Sequence, residues 1–159
     1  MSKIKFWIIL VTGILMAVVS PVSGITAEKS KRQGTAAKPA PDWNNPRKLV
    51  LQLDKNDPHF VKMVFNNASN TMKYYGRDNV KVAIVAFGPG VRAFLKESAP
   101  FAERTASLLY DEIEIVVCGN TMNAMHKTKA DLLPNIPIVK AGVPELIERQ
   151  LSGWVYVAP

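Results

Sequence analysis

Residues 80–95, VKVAIVAFGPGVRAFL, contain an almost unbroken apolar run, a glycine-proline-glycine turn and the start of a second apolar segment. An apolar run of this kind, without alternation, is typical of a strand that is covered on both faces. The turn at residues 88–90 closes the strand, and three apolar residues follow it at helical spacing. The stretch therefore predicts one strand–turn–helix unit of a layered α/β fold.

The same unit recurs on both sides of this stretch. The apolar patterns predict further strands and helices in alternation, with strands at 49–53, 113–117, 136–139 and 154–157 and helical segments at 58–75, 101–110, 120–133 and 145–151. An alternating strand–helix order requires a mostly parallel sheet with helices on both faces. The predicted fold class is therefore α/β, a three-layer α/β/α domain with a mostly parallel five-stranded sheet.

The charge of the chain is unevenly distributed. The formal net charge is +7, yet residues 49–159 hold twelve Lys/Arg against eleven Asp/Glu, whereas residues 28–48 hold six against two. Nucleic-acid binding needs cations clustered on the folded surface, so no nucleic-acid partner is predicted. One cysteine and two histidines exclude an intrachain disulfide and a zinc site built on several thiolates. No metal and no organic cofactor is predicted.

The N-terminal residues resemble an export signal. Residues 1–27 combine two lysines, an uncharged and mostly apolar run at 6–19, and small residues at Ser23, Gly24 and Ala27. Cleavage would fit after either Gly24 or Ala27. The run is short for a bilayer-spanning helix, although an uncleaved anchor is the alternative. We therefore predict a periplasmic protein with no stable membrane insertion once the signal is cleaved. Residues 28–46 are predicted to be a flexible basic linker, and residues 47–159 the folded domain.

Cys118 is the candidate functional residue. Ligands of open parallel sheets bind at the carboxyl ends of the strands, and Cys118 follows the third strand directly before a helical segment. N–H groups at a helix start stabilise a thiolate, and Asn120 or Thr121 can donate to an anionic sulfur. Gly88 and Gly90 form a turn that lets the backbone approach a ligand. The competing interpretation is a small, buried and inert cysteine.

Neither histidine is predicted to be the partner of this cysteine. Along a regular helix, His126 would lie about 12 Å from Cys118 at 1.5 Å per residue. His59 could approach Cys118 only if the first and third strands were neighbours.

Three segments together resemble the DsrE/DsrF-like family. They are residues 113–122, IEIVVCGNTM, the strand followed by GPGV at 88–91, and the ending with GVPELI at 142–147 and GWVY at 153–156. The resemblance covers residues 47–159. It implies a three-layer domain that forms homo-oligomers, often trimers or hexamers, with sheet order 4-3-2-1-5. The alternative, flavodoxin-like order 2-1-3-4-5 would bring residues 54–59 beside the cysteine.

The resemblance also implies a role for the cysteine. Some relatives carry sulfur as a persulfide on a cysteine after the third strand, and Cys118 matches that position, with Gly119, Asn120 and Thr121 as matching neighbours. The function so implied is a persulfide carrier or sulfurtransferase-relay component with an unidentified sulfur donor and acceptor. The N–H groups of Gly119 and Asn120 would stabilise the sulfur anion, and the 88–90 loop would border the pocket. The alternative is a non-catalytic oligomeric binding or assembly module in which Cys118 is inert.

Overall fold

The computed structural model describes residues 37–98 and 100–159, so the predicted signal peptide at 1–27 lies outside the described residues. The described residues form five strands, β1 (Arg47–Leu53), β2 (Val80–Ala86), β3 (Glu114–Cys118), β4 (Ile138–Val139) and β5 (Val155–Val157). They also form four α-helices, α1 (Pro58–Tyr75), α2 (Ala102–Tyr110), α3 (Gly119–Ala124) and α4 (Gly142–Leu151). Three 3-10 helices span Arg77–Asn79, Gly88–Phe94 and Lys129–Asp131.

The five strands form one parallel sheet in the order β4-β3-β2-β1-β5. This confirms the predicted fold class and the family order, and the flavodoxin-like order is wrong. In register, Leu53 of β1 lies beside Ala86 of β2, which lies beside Val117 of β3. The three central strands therefore end at the same edge of the sheet, and Cys118 reaches this edge beside Val139 of β4.

Helices cover both faces of the sheet, as the unbroken apolar strands predict. Side chains of successive strand residues point to opposite faces, and β1 shows this directly. Leu51 and Leu53 belong to a large apolar cluster that includes residues of α1 and α2. Val50 belongs to a smaller cluster with Leu146 of α4. The α4 face is thus covered by a single helix within the described residues.

Local signals explain where α1 begins and ends. Asp57 is the N-cap residue, and its Oδ1 accepts a hydrogen bond from the Phe60 N–H at 2.8 Å. Pro58 occupies the first helical turn, where its missing N–H costs nothing. The helix ends at Gly76, whose φ of 85° is strained for residues with a side chain.

The prediction of a mostly helical segment over 120–133 is wrong beyond Ala124. The chain leaves the helix through His126, which adopts a left-handed φ of 53°. A separate capping box, formed by Thr128 and Asp131, then starts a short 3-10 helix. The local hydrogen bonds of this box compete with continued α-helix and end the longer apolar pattern.

The predicted strand at 136–139 is shorter than expected. Only Ile138 and Val139 pair as β4. Pro137 has no N–H to donate, although its carbonyl oxygen accepts a hydrogen bond from the Val117 N–H at 3.1 Å.

The end of the predicted linker lies against the domain. Residues 37–46 form no helix or strand. The Arg47 guanidinium donates to the carbonyl oxygens of Ala37 at 2.6 Å and Pro39 at 2.7 Å. The division of the chain into signal peptide, linker and domain stays a prediction.

Candidate functional site

Cys118 is the last residue of β3 and immediately precedes α3. It is free of disulfide and only 5% exposed. The first residue of α4, Gly142, packs directly against it. A Cβ built on Gly142 would lie 2.9 Å from Phe87 Cβ and 3.2 Å from Cys118 Cβ, so the position has no room for a side chain. The sulfur is therefore enclosed by the ends of β2 and β3 and the start of α4.

Hydrogen-bond donors surround the sulfur. Burial raises the pKa of the Cys118 thiol, but hydrogen bonding from the Thr121 hydroxyl and from the N–H groups of Thr121, Gly142 and Asn120 lowers it. The Asn120 N–H is shared, because it also donates to the Lys140 carbonyl oxygen at 3.3 Å. The net result is a pKa below the ordinary value of a cysteine. All these donors are uncharged dipoles, and such donors stabilise the thiolate over the thiol. The pKa of Cys118 is therefore lowered by uncharged hydrogen-bond donors and not by a neighbouring cation.

Two glycines, Gly119 and Gly142, lie close to Cys118 in different ways. The Gly119 N–H is not among the groups that lower the pKa of Cys118. A Cβ on Gly119 would lie 3.0 Å from the Val139 carbonyl oxygen, so this glycine lets α3 start close to β4. Gly142, in contrast, was not predicted as a donor. The available signal was its position in the loop after the fourth strand, which parallel topology places at the same edge.

The 88–90 loop reaches the site through Thr121. Gly88 adopts a left-handed φ of 51° and donates its N–H to Thr121 Oγ1 at 3.0 Å. Gly90 lies against β1 instead, because a Cβ there would be 2.1 Å from the Leu53 carbonyl oxygen. The structure thus brings Gly88, Asn120 and Thr121 together around Cys118, whereas Gly90 supports the loop from the side of β1.

The two histidines give Cys118 no partner that changes its pKa. Neither His59 nor His126 is among the groups that shift the pKa of Cys118. Across residues 37–98 and 100–159, no three His, Cys, Asp or Glu side chains form a group that could hold a metal ion. In the same part of the chain, no helix has the length and apolar character needed to cross a bilayer.

These observations define a class: a parallel five-stranded α/β/α domain with a hydrogen-bonded cysteine at the carboxyl end of its third strand. The model of the DsrE/DsrF-like family matches residues 48–159. The chain belongs to this family.

Two solved structures share the fold. The protein of unknown function MTH1491 from Methanobacterium thermoautotrophicum is 26% identical, with a TM-score of 0.68, covering 71% of this chain and 99% of its own. The conserved protein of unknown function BT1422 from Bacteroides thetaiotaomicron is 16% identical, with a TM-score of 0.56, covering 70% of this chain and 94% of its own. No curated protein matches the chain.

Proposed function

We propose that this protein is a periplasmic sulfur carrier that holds sulfane sulfur as a persulfide on Cys118 and passes it to an acceptor. The observation that carries the proposal is the place of Cys118 between the end of β3 and the start of α3, where donor groups of Thr121, Gly142 and Asn120 lower the pKa of its thiol. Membership of the DsrE/DsrF-like family supports a sulfur-relay type of fold. Gly88, Asn120, Thr121 and Gly142 are proposed to form the site with Cys118.

Loading is a thiol–disulfide type of exchange. The Cys118 thiolate attacks the outer sulfur of a donor persulfide, R–S–SH, a new S–S bond forms to Cys118, and the donor S–S bond breaks. R–S⁻ leaves and takes up a proton from solvent. One persulfide is converted into another, so the step needs no oxidant or reductant. A lowered pKa increases the thiolate fraction that can attack.

Release reverses the roles. An acceptor thiolate attacks the outer sulfur of the Cys118 persulfide, and Cys118 leaves as a thiolate. A thiol of lower pKa leaves faster. The donors from Thr121, Asn120 and Gly142 therefore assist both steps, because each step has the Cys118 thiolate at one end.

Mass spectrometry of the mature protein tests this proposal. After incubation with inorganic polysulfide as the donor, the wild type is expected to gain the mass of one sulfur atom, which a thiol reductant removes. Cys118→Ser is expected to gain none while keeping the wild-type circular dichroism spectrum. Equal loading of both proteins would contradict the proposal, since sulfur would then be held elsewhere.

Burial favours a second candidate function, a binding or assembly module with an inert cysteine. Cys118 is only 5% exposed, and buried cysteines commonly act as small hydrophobes. Alkylation of the folded protein separates the two candidates. The carrier is expected to react with iodoacetamide with an apparent pKa below that of a free thiol. The inert module would react only on unfolding.

We also propose that the protein is a homo-oligomer, which the family resemblance implies to be a trimer or hexamer. The exposed face of α4 supports this, because Val143, Ile147 and Leu151 are 52%, 49% and 78% exposed. Their spacing of four residues places them on one ridge of the helix. Sedimentation of wild type and Ile147→Glu, with Glu148→Gln as control, tests the surface. The oligomer is expected to dissociate into monomers in the Ile147→Glu variant but not in the Glu148→Gln variant. A wild type that sediments as a monomer would contradict the proposal.

The periplasmic location rests on the sequence of residues 1–27. Expression of the full chain in a bacterium with an outer membrane, followed by osmotic-shock fractionation, tests it. N-terminal sequencing of the released protein is expected to begin after Gly24 or Ala27. Recovery in the membrane fraction with an intact N-terminus would show an anchor instead.

A further inference from the structure

The Thr121 side chain lies between groups from two different strand ends. Its Oγ1 accepts a hydrogen bond from the Gly88 N–H at 3.0 Å. Thr121 is also the third residue after the N-cap residue Cys118, in the first turn of α3, so its hydroxyl lies on the same side of the helix as the sulfur, and it is among the groups that lower the pKa of the thiol. A hydroxyl has one proton and two acceptor lone pairs. Because the Gly88 N–H takes an acceptor position, the hydroxyl proton is left for the sulfur.

We propose that Gly88, Thr121 and Cys118 form one hydrogen-bond chain in which the Gly88 N–H is a positioning group for the Thr121 hydroxyl. The 88–90 loop then acts on the sulfur through Thr121, in addition to any contact with a ligand. Consecutive hydrogen bonds polarise one another, so the Gly88 N–H strengthens the bond to the sulfur. The proposal rests on the proposed function in that Cys118 is the reacting group.

The loop holds the Gly88 N–H in a fixed place. The Phe87 N–H donates to the Leu53 carbonyl oxygen at 3.1 Å, and the Gly90 N–H donates to the Phe87 carbonyl oxygen at 3.1 Å. The lack of a Cβ on Gly90 lets the loop lie directly against the end of β1. A Thr hydroxyl near a helix start otherwise tends to bond to a nearby backbone carbonyl. The fixed N–H of Gly88 therefore decides where the hydroxyl proton points.

Two charged side chains, Asp54 and Lys140, lie on the loops around the hydrogen-bond chain. Asp54 follows β1 beside the 88–90 loop, and Lys140 follows β4. The groups that shift the pKa of Cys118 belong to Thr121, Gly142 and Asn120, and neither Asp54 nor Lys140 is among them. A titration seen at Gly88 with the midpoint of Cys118 would consequently report the hydrogen-bond chain.

Nuclear magnetic resonance of the isotope-labelled mature protein tests the proposal. As pH is varied, the Gly88 amide shift is expected to move with the same midpoint as the rate of Cys118 alkylation. Thr121→Val keeps the shape of the side chain and removes the hydroxyl. In this variant the Gly88 response is expected to disappear, and the thiolate fraction at neutral pH to fall about tenfold.

Thr121→Ser is the matched control, because it keeps the hydroxyl and removes the methyl group. If the Gly88 N–H orients the hydroxyl, the serine variant retains both the thiolate fraction and the Gly88 response. A serine variant that behaves like the valine variant would show that methyl packing sets the orientation, and would overturn the proposal. So would a Gly88 amide shift in the wild type that stays flat while Cys118 titrates.

Sulfur loading is measured separately on the same samples. A wild type that shows the coupled titration but takes up no sulfur from polysulfide would overturn the proposed function and leave the hydrogen-bond chain intact. A wild type that loads sulfur without the coupled titration would overturn the hydrogen-bond chain and leave the proposed function intact. The wild-type titration does not depend on whether the valine variant folds.

Discussion

Gly142→Ala tests the contact between the start of α4 and Cys118. The new Cβ would lie 2.9 Å from Phe87 Cβ and 3.2 Å from Cys118 Cβ, closer than carbon atoms pack. The start of α4 must therefore move away from the sheet, and overpacking of this kind costs about 1–3 kcal/mol. The higher helix propensity of alanine returns up to about 1 kcal/mol. We expect a net loss of about 1–2 kcal/mol in the free energy of unfolding.

The same movement takes the Gly142 N–H away from the sulfur. Losing one of the donated hydrogen bonds is expected to raise the pKa of Cys118, because the thiolate is the form that these bonds stabilise. Urea denaturation measures the first effect, and the pH dependence of iodoacetamide alkylation measures the second. The prediction is therefore a coupled one, a less stable domain with a less acidic thiol.

Gly153→Ala is the matched control for this substitution. Gly153 has a φ of 83°, and a Cβ built on it would meet nothing within 4 Å. Its replacement is expected to cost stability through backbone strain alone, and to leave the alkylation profile of Cys118 unchanged. If Gly142→Ala lowers stability but leaves the alkylation profile as in the wild type, the Gly142 N–H does not stabilise the thiolate and our reasoning about the site is wrong.

Three further predictions concern the Cys118 thiol, the 88–90 loop and the start of α1. Because the pKa of Cys118 is lowered in the folded state, the stability that the thiolate adds is present above the unfolded-state pKa of about 8.5 and is lost as pH falls through the folded-state value. Urea denaturation of wild type and Cys118→Ser should therefore give a stability difference that shifts in favour of the wild type as pH rises. Gly90→Ala would place a Cβ 2.1 Å from the Leu53 carbonyl oxygen, so we expect little soluble, folded protein, and a wild-type thermal melting curve would contradict this. Asp57→Ala removes the bond from the Phe60 N–H at the start of α1 and should cost about 1 kcal/mol by urea denaturation, whereas Asp57→Asn should cost less.

The sheet could be predicted from sequence because its signals are local and strong. The apolar run of β2, interrupted only by the exposed Lys81, and the cap at Asp57 each specify an element without help from distant residues. The end of α3 could not be predicted in this way. The helical pattern continues in the sequence past Ala124, and the capping box of Thr128 and Asp131 overrides it by satisfying local donors.

The position of the site could be predicted from the sequence, but the groups that surround the sulfur could not. Parallel topology places the cysteine and the loops after each strand at one edge, and this much follows from the order of the elements. Which N–H groups point at the sulfur depends on distances between backbone segments that lie far apart in the sequence. Gly142 and Gly119 illustrate this, because both are glycines beside the same strand ends, yet of the two it is Gly142 that is among the groups that lower the pKa of Cys118.

The burial of Cys118 and its lowered pKa have the same structural origin. An inert buried cysteine is expected among apolar side chains, which raise the pKa of a thiol. Here the enclosing groups include backbone N–H groups and a hydroxyl, which are costly to bury without an acceptor. The N–H groups of Thr121 and Gly142 meet this need at the sulfur, and the thiolate accepts such bonds better than the thiol does. The donors that enclose Cys118 therefore lower the pKa of its thiol even though the residue is buried.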